Sequence, residues 1–200
     1  MKRTIIAFVL VAAAAAFGQG TVNFLNDTVT LSTPPDRFIR FGFGFFPVFP
    51  PGTPAFGTNL QVQLYYGAST ATAGSLVAVS TAPARLRAST TTAPGTWSAG
   101  GFRTLTGFDF GAGTVNLQVR LWDIADGATF EAALGRPGGP NGFLAASPVF
   151  TYLIPASSGA PGGDFVMKNF TGFSIDIPEP SSFALAGLGA AALLIFRRRK

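Results

Sequence analysis

Two stretches of this chain alternate apolar and polar residues with almost the same spelling, Asn59-Leu60-Gln61-Val62-Gln63-Leu64-Tyr65-Tyr66 and Asn116-Leu117-Gln118-Val119-Arg120-Leu121-Trp122-Asp123. Successive side chains of a strand point to opposite faces, so a period of two puts Leu60, Val62, Leu64 and Tyr66 on one face. Val115, Leu117, Val119 and Leu121 do the same in the second run. The runs start fifty-seven residues apart, at 59 and 116. They read as central strands in equivalent environments, either two halves of a duplication or two strands obeying one pattern.

Shorter strand candidates lie at 21–24, 38–46, 76–80, 101–105, 149–154 and 173–177, and Phe130–Leu134 is a candidate for one helical turn. Turn residues separate them, among them Pro50-Pro51-Gly52, Asp126-Gly127 and Pro161-Gly162-Gly163. With Gly 25 and Pro 15 in 200 residues, this spacing predicts an all-β fold, a single β-sandwich of jelly-roll or immunoglobulin-like form over 19–177. A body of that size can bury one core without disulfides or metal.

The chain has no cysteine and no histidine. That excludes disulfides, thiolate nucleophiles, Cys/His zinc sites, Ser–His–Asp triads and any histidine base. The formal charge of +5 points toward nucleic acid until the cations are located. Lys2, Arg3, Arg197, Arg198, Arg199 and Lys200 sit at the ends, and between 19 and 177 eight Lys/Arg meet eight Asp/Glu, a balance of 8 − 8 = 0. A neutral body lacks the positive field that phosphate binding needs, so no nucleic-acid partner is expected.

The N-terminal end joins Lys2-Arg3 to an apolar run over 5–17 and then to Gly18-Gln19-Gly20. This is the three-part layout of a secretory signal peptide over 1–18, its signal helix too short to span a membrane. Ala16 and Gly18 supply the small residues that cleavage requires, so the mature chain is expected to begin near Gln19.

The other end reads Pro178-Glu179-Pro180, a fourteen-residue apolar run over 183–196, and Arg197-Arg198-Arg199-Lys200. As a helix the run measures about 21 Å, short of the ~30 Å hydrocarbon core. Nothing charged interrupts it, and the basic end lies where a cytoplasmic anchor belongs. Snorkelling Arg and Lys side chains relieve the mismatch. The reading is a short C-terminal transmembrane helix that stops transfer and leaves the body outside the cytoplasm.

Proline–glutamate–proline, a short apolar helix and a terminal arginine cluster, in a chain with its own signal peptide, together resemble the PEP-CTERM sorting domain. The resemblance covers 178–200, and all three elements occur in order. It implies processing by an exosortase, a membrane-embedded cysteine protease and transpeptidase that recognises the triplet and removes the apolar tail. The implied setting is a Gram-negative bacterium that makes exopolysaccharide, where an inner-membrane-anchored precursor becomes a cell-surface or extracellular-matrix protein. Pro178, Glu179 and Pro180 would be the recognition triplet, and Arg197, Arg198, Arg199 and Lys200 the membrane-retention end. Physically, two prolines hold this peptide extended, with the single charge of Glu179 near the membrane surface. The plain alternative is an ordinary anchor with a proline-rich stalk. The resemblance is silent about the body.

Phe38, Phe41, Phe43, Phe45, Phe46 and Phe49 crowd 38–49. A strand packed on both faces explains this run more cheaply than a sugar-stacking surface does. Asp123, Asp126 and Glu131 form the densest acidic group, which reads as solvated turn acids because a ligand-rich calcium loop is lacking. Walker, nucleophile-elbow and dinucleotide motifs are missing. Asn26-Asp27-Thr28 and Asn169-Phe170-Thr171 fit the glycosylation pattern, which carries little weight in a bacterial chain.

The sequence reading is therefore an exported, non-enzymatic protein without cofactor or metal, with exosortase as a transient partner. The alternative is a carbohydrate-binding module for exopolysaccharide, which requires Trp97, Trp122, Tyr65 or Tyr66 on an exposed flat face. A third, a carboxylate-only hydrolase, requires two acids about 5 to 9.5 Å apart between Asp109 and Glu131.

Overall fold

In the computed structural model, which describes residues 18–26, 36–43, 48–91, 93–98, 101–136 and 143–175, the two alternating runs lie side by side as antiparallel strands. In chain order the elements are β1 (Gln19–Asn23), β2 (Arg40–Phe41), β3 (Leu60–Ala68), β4 (Val77–Ala78), β5 (Ala84–Leu86), β6 (Trp97–Ser98), β7 (Phe102–Asp109) and β8 (Thr114–Asp123). Then follow α1 (Phe130–Leu134), β9 (Leu144–Ala146), β10 (Phe150–Leu153) and β11 (Ser174–Ile175). Among the described residues the fold is all-β with one short helix.

A seven-stranded antiparallel sheet runs β10-β8-β3-β5-β6, with β4 also on β3 and β9 also on β8. Gln63 stands opposite Arg120, and these are the same position of the two similar peptides. A local two-fold axis therefore passes between them, pairing Val62 with Leu121 and Leu64 with Val119. The symmetry extends outward: β4 and β5 share the outer edge of β3 as β9 and β10 share that of β8. Each outer strand is interrupted, and a sheet glutamine fills each interruption. Gln63 Nε2 donates to the carbonyls of Val79 and Thr81 at 3.0 and 3.3 Å, and Gln118 Nε2 donates to that of Ser147 at 2.9 Å. Carbonyls that lose the ladder thus keep a donor, as buried backbone requires. This arrangement favours the duplicated-half reading.

The alternation decides what each face buries. Leu60, Val62, Leu64, Tyr66, Val115, Leu117, Val119 and Leu121 enter one core with Val22, Phe24, Ile39, Phe41, Leu105, Phe170 and Ile175. The latter come from two small sheets, β1 with β7 (antiparallel) and β2 with β11 (parallel), and their flanking loops. On the other face Tyr65 and Trp122 meet Leu76, Phe130 and Ala133. Thr129 caps α1 by accepting from the Ala132 amide at 3.1 Å, and the i,i+3 pair Phe130 and Ala133 is its buried side.

The candidates at 76–80 and 149–154 hold with trimmed ends, β1 starts two residues before its expected limit, β7 runs four residues past its own, and β11 holds for the described part of 173–177. The 38–46 strand is corrected. Among its described residues, 38–43, only Arg40–Phe41 forms a strand, paired in parallel with Ser174–Ile175, and 44–46 lie outside the described residues. Phe41 then exchanges bonds with Gly52 and Thr53 as the chain returns. Phe43 is 81% exposed rather than packed on both faces. β5, β6 and β9 were not anticipated. The signal helix at 1–17, the sorting tail from 178 and the 183–196 helix lie outside the described residues. Among the described residues no helix is long and apolar enough to cross a membrane.

Candidate functional site

Both ends of the body are tied down where the expected processing segments begin. Gly18 is exposed, its carbonyl accepts from the Phe110 amide at 3.0 Å, and β1 starts at the next residue. Ala16, the other expected cleavage residue, lies outside the described residues. At the far end β11 closes on Ile175, whose carbonyl accepts from the Gly42 amide at 2.9 Å. Pro178, Glu179 and Pro180 follow within five residues, and they and Arg197 to Lys200 lie outside the described residues.

Asp109 is exposed at the end of β7, and the other three acids of the 109–131 stretch are engaged in structural bonds. Asp123 accepts from Asn59 Nδ2 at 2.5 Å and from the Ala125 amide at 2.8 Å. Asp126 is ion-paired with Arg136. Glu131 takes the Tyr65 hydroxyl and Arg120 Nη1, each at 3.0 Å. The Arg120 guanidinium lies 3.9 Å from the centre of the Tyr65 ring and also donates to the Ala73 carbonyl at 2.5 Å. Burial first, and the bond to Glu131 second, push the Tyr65 phenol above its ordinary range. This cluster locks α1 and the Ala73–Ser75 turn onto the sheet. Among the described residues no group of acids is placed to hold a metal ion.

The four aromatics named for sugar stacking are all buried: Trp97 is 1% exposed, Trp122 0%, Tyr65 2% and Tyr66 6%. Both indoles spend their N–H inside, on the carbonyls of Phe24 at 2.9 Å and Gly127 at 3.0 Å. They form no exposed platform. The reason is that both faces of the central sheet are covered.

A groove of about 500 Å³ does open at the surface, between the Gly111–Gly113 turn, β10 and the 164–169 segment. Thr151, Tyr152, Asp164, Lys168 and Asn169 line it. Lys168 pairs with Asp164 at 3.2 Å, Asn169 donates to the Thr151 carbonyl at 3.0 Å, and the Tyr152 hydroxyl donates to the Thr21 carbonyl at 2.8 Å. Burial and the nearby Asp164 raise the Tyr152 phenol above its usual range. With one carboxylate in its lining, the groove does not hold the acid pair that glycoside hydrolysis needs. Three separate segments build it, and no local sequence signal announces it.

Compared with protein families, residues 176–200 match the PEP-CTERM protein-sorting motif. This chain carries a PEP-CTERM sorting motif. The match begins two residues before the Pro178-Glu179-Pro180 triplet, immediately after β11. The motif indicates an exported, exosortase-processed protein of Gram-negative bacteria. No curated protein and no solved structure matches the chain.

Proposed function

We propose that this protein is a non-enzymatic component of the cell surface or extracellular matrix. It enters the export route by a signal peptide cleaved after Gly18 and waits in the inner membrane on its 183–196 helix. An exosortase then releases it at the Pro178-Glu179-Pro180 triplet. The observation that carries the reading is the sorting motif set directly behind the last strand, which puts the triplet within five residues of a folded body. The engaged acids and the absence of cysteine and histidine support a structural rather than catalytic body. In this account the two small sheets and the seven-stranded sheet are the layers of a β-sandwich.

Binding of exopolysaccharide is the second reading. With the aromatics buried, its one supporting observation is the groove beside Asp164 and Lys168. The proposal is tested by replacing Pro178, Glu179 and Pro180 with alanine in the native host and fractionating the cells. Retention of the variant in the membrane, with the parent chain found outside, supports release through the triplet. Identical distributions overturn it.

A further inference from the structure

The two most exposed large hydrophobic residues among those described, Phe43 at 81% and Val48 at 75%, flank one excursion of the chain. Its direction is set by hydrogen bonding. β2 and β11 are parallel, Arg40 beside Ser174 and Phe41 beside Ile175, so the chain leaving Phe41 and the chain leaving Ile175 exit the same end of the sheet. The excursion returns at Gly52 and Thr53, which bond back to Phe41 at 2.9 and 2.8 Å. Phe43, two residues beyond Phe41, therefore lies at the end of the sheet from which the chain continues to the sorting tail.

Chain length brings the bilayer within reach. Seven residues lie between Ile175 and Phe183, the start of the apolar run, a tether of at most about 28 Å over the eight Cα–Cα steps. Not one residue from Phe41 to Gly52 is charged, so contact with lipid desolvates no ion. Water gains nothing from the exposed Phe43 ring, whereas an interfacial layer accepts it.

We propose that Phe43 and Val48 are a membrane-contact edge that seats the body on the bilayer holding its tail, presenting the Pro178-Glu179-Pro180 segment at a fixed height above the lipid. The inference rests on the anchored precursor described above. The contact is apolar and insensitive to salt, and it is lost when the tail is cut, because two side chains alone hold a surface weakly.

The absence of native cysteine allows single-site probes in the full-length precursor. Phe43→Cys, Leu153→Cys and Ala190→Cys would each carry an environment-sensitive fluorophore in vesicles of phosphatidylethanolamine and phosphatidylglycerol containing spin-labelled lipid as quencher. Leu153 is a matched control at 68% exposed. It pairs with Thr114 at one end of β8, while β11 lies against β9, which pairs at the other end. The expected result is blue-shifted, lipid-quenched emission at 43 and 190 and aqueous emission at 153, with Val48→Asp reducing the quenching at 43. An aqueous probe at 43 with a quenched probe at 190 overturns the docking and leaves the anchor standing. An unquenched probe at 190 overturns anchor and docking together. Quenching at 153 as well reduces the effect to general adsorption, and a blue-shifted but unquenched probe at 43 means that protein covers the edge; either outcome overturns the inference.

Discussion

The guanidinium of Arg120 lies over the Tyr65 ring, 3.9 Å from its centre, and its fork reaches Glu131, Gln118 and the Ala73 carbonyl. Only 11% of this side chain is exposed, so its charge is held by the ring and by three hydrogen-bond partners, one each from sheet, helix and turn, rather than by water. Stacking on the ring and charged hydrogen bonds are together worth about 2–3 kcal/mol here. Arg120→Ala is expected to lower stability by about that amount in urea unfolding. Arg120→Lys should recover less than half, because an ammonium neither stacks nor forks. A loss under about 0.5 kcal/mol would show the cluster to be ornamental.

Tyr65 and Tyr152 give the fold an alkaline limit. Their phenols are raised in the folded chain, mainly by burial. The neutral form is favoured by folding, so this stability is fully present below the unfolded value of about 10 and is lost as pH rises through the folded values. Unfolding should therefore set in above about pH 10, together with late tyrosinate absorbance. Tyr65→Phe and Tyr152→Phe should each soften that dependence. Ionisation of both at an ordinary phenol pH in the intact fold would contradict their burial.

Asn26 is fully buried and ties three segments together: its amide donates to the carbonyls of Arg37 and Gly95 at 3.0 and 2.9 Å, and its oxygen accepts from the Trp97 amide at 3.1 Å. Asn26→Ala leaves those backbone groups unpaired, at a cost of about 2–4 kcal/mol and a clearly lower Tm. The same burial closes the Asn26-Asp27-Thr28 pattern to glycosylation in the folded state, which site-occupancy mass spectrometry in a glycosylating host can check.

A Cβ on Gly172 would sit 2.1 Å from the Phe38 carbonyl oxygen and 2.9 Å from two more backbone atoms of that residue. The neighbouring backbone bond, Gly172 N–H to the Asp36 carbonyl at 2.7 Å, would have to open. Gly172→Ala is expected to be among the most damaging single substitutions in the body, by more than about 3 kcal/mol. Gly74→Ala, where a Cβ meets open space, should be neutral to slightly stabilising. Thermal melts of the pair compare them directly.

What the residues disclosed and what they concealed follow one physical division. β3 and β8 were legible because about seven residues of period-two alternation in each leave a strand little choice. α1 covers the helical turn expected at Phe130–Leu134. β5, β6 and β9 have only two or three residues each, and neighbouring strands rather than their own composition make them strands. Phe43 broke its pattern because a two-residue parallel ladder ended beneath it. The burial of Trp97 depended on the distant Phe24 carbonyl, which spacing does not reveal. The sorting tail is a linear signal read as sequence by its protease, so it was legible whole, whereas the groove needed three distant segments to come together.

Intact mass spectrometry of the protein from its native host, with cell fractionation, tests the central claim most directly because one spectrum reports both ends. The account expects a mature species that begins at about Gln19, lacks everything beyond about Pro180, and is found at the surface or in the medium. A membrane-bound species that retains 183–200 in a host with an active exosortase would contradict it.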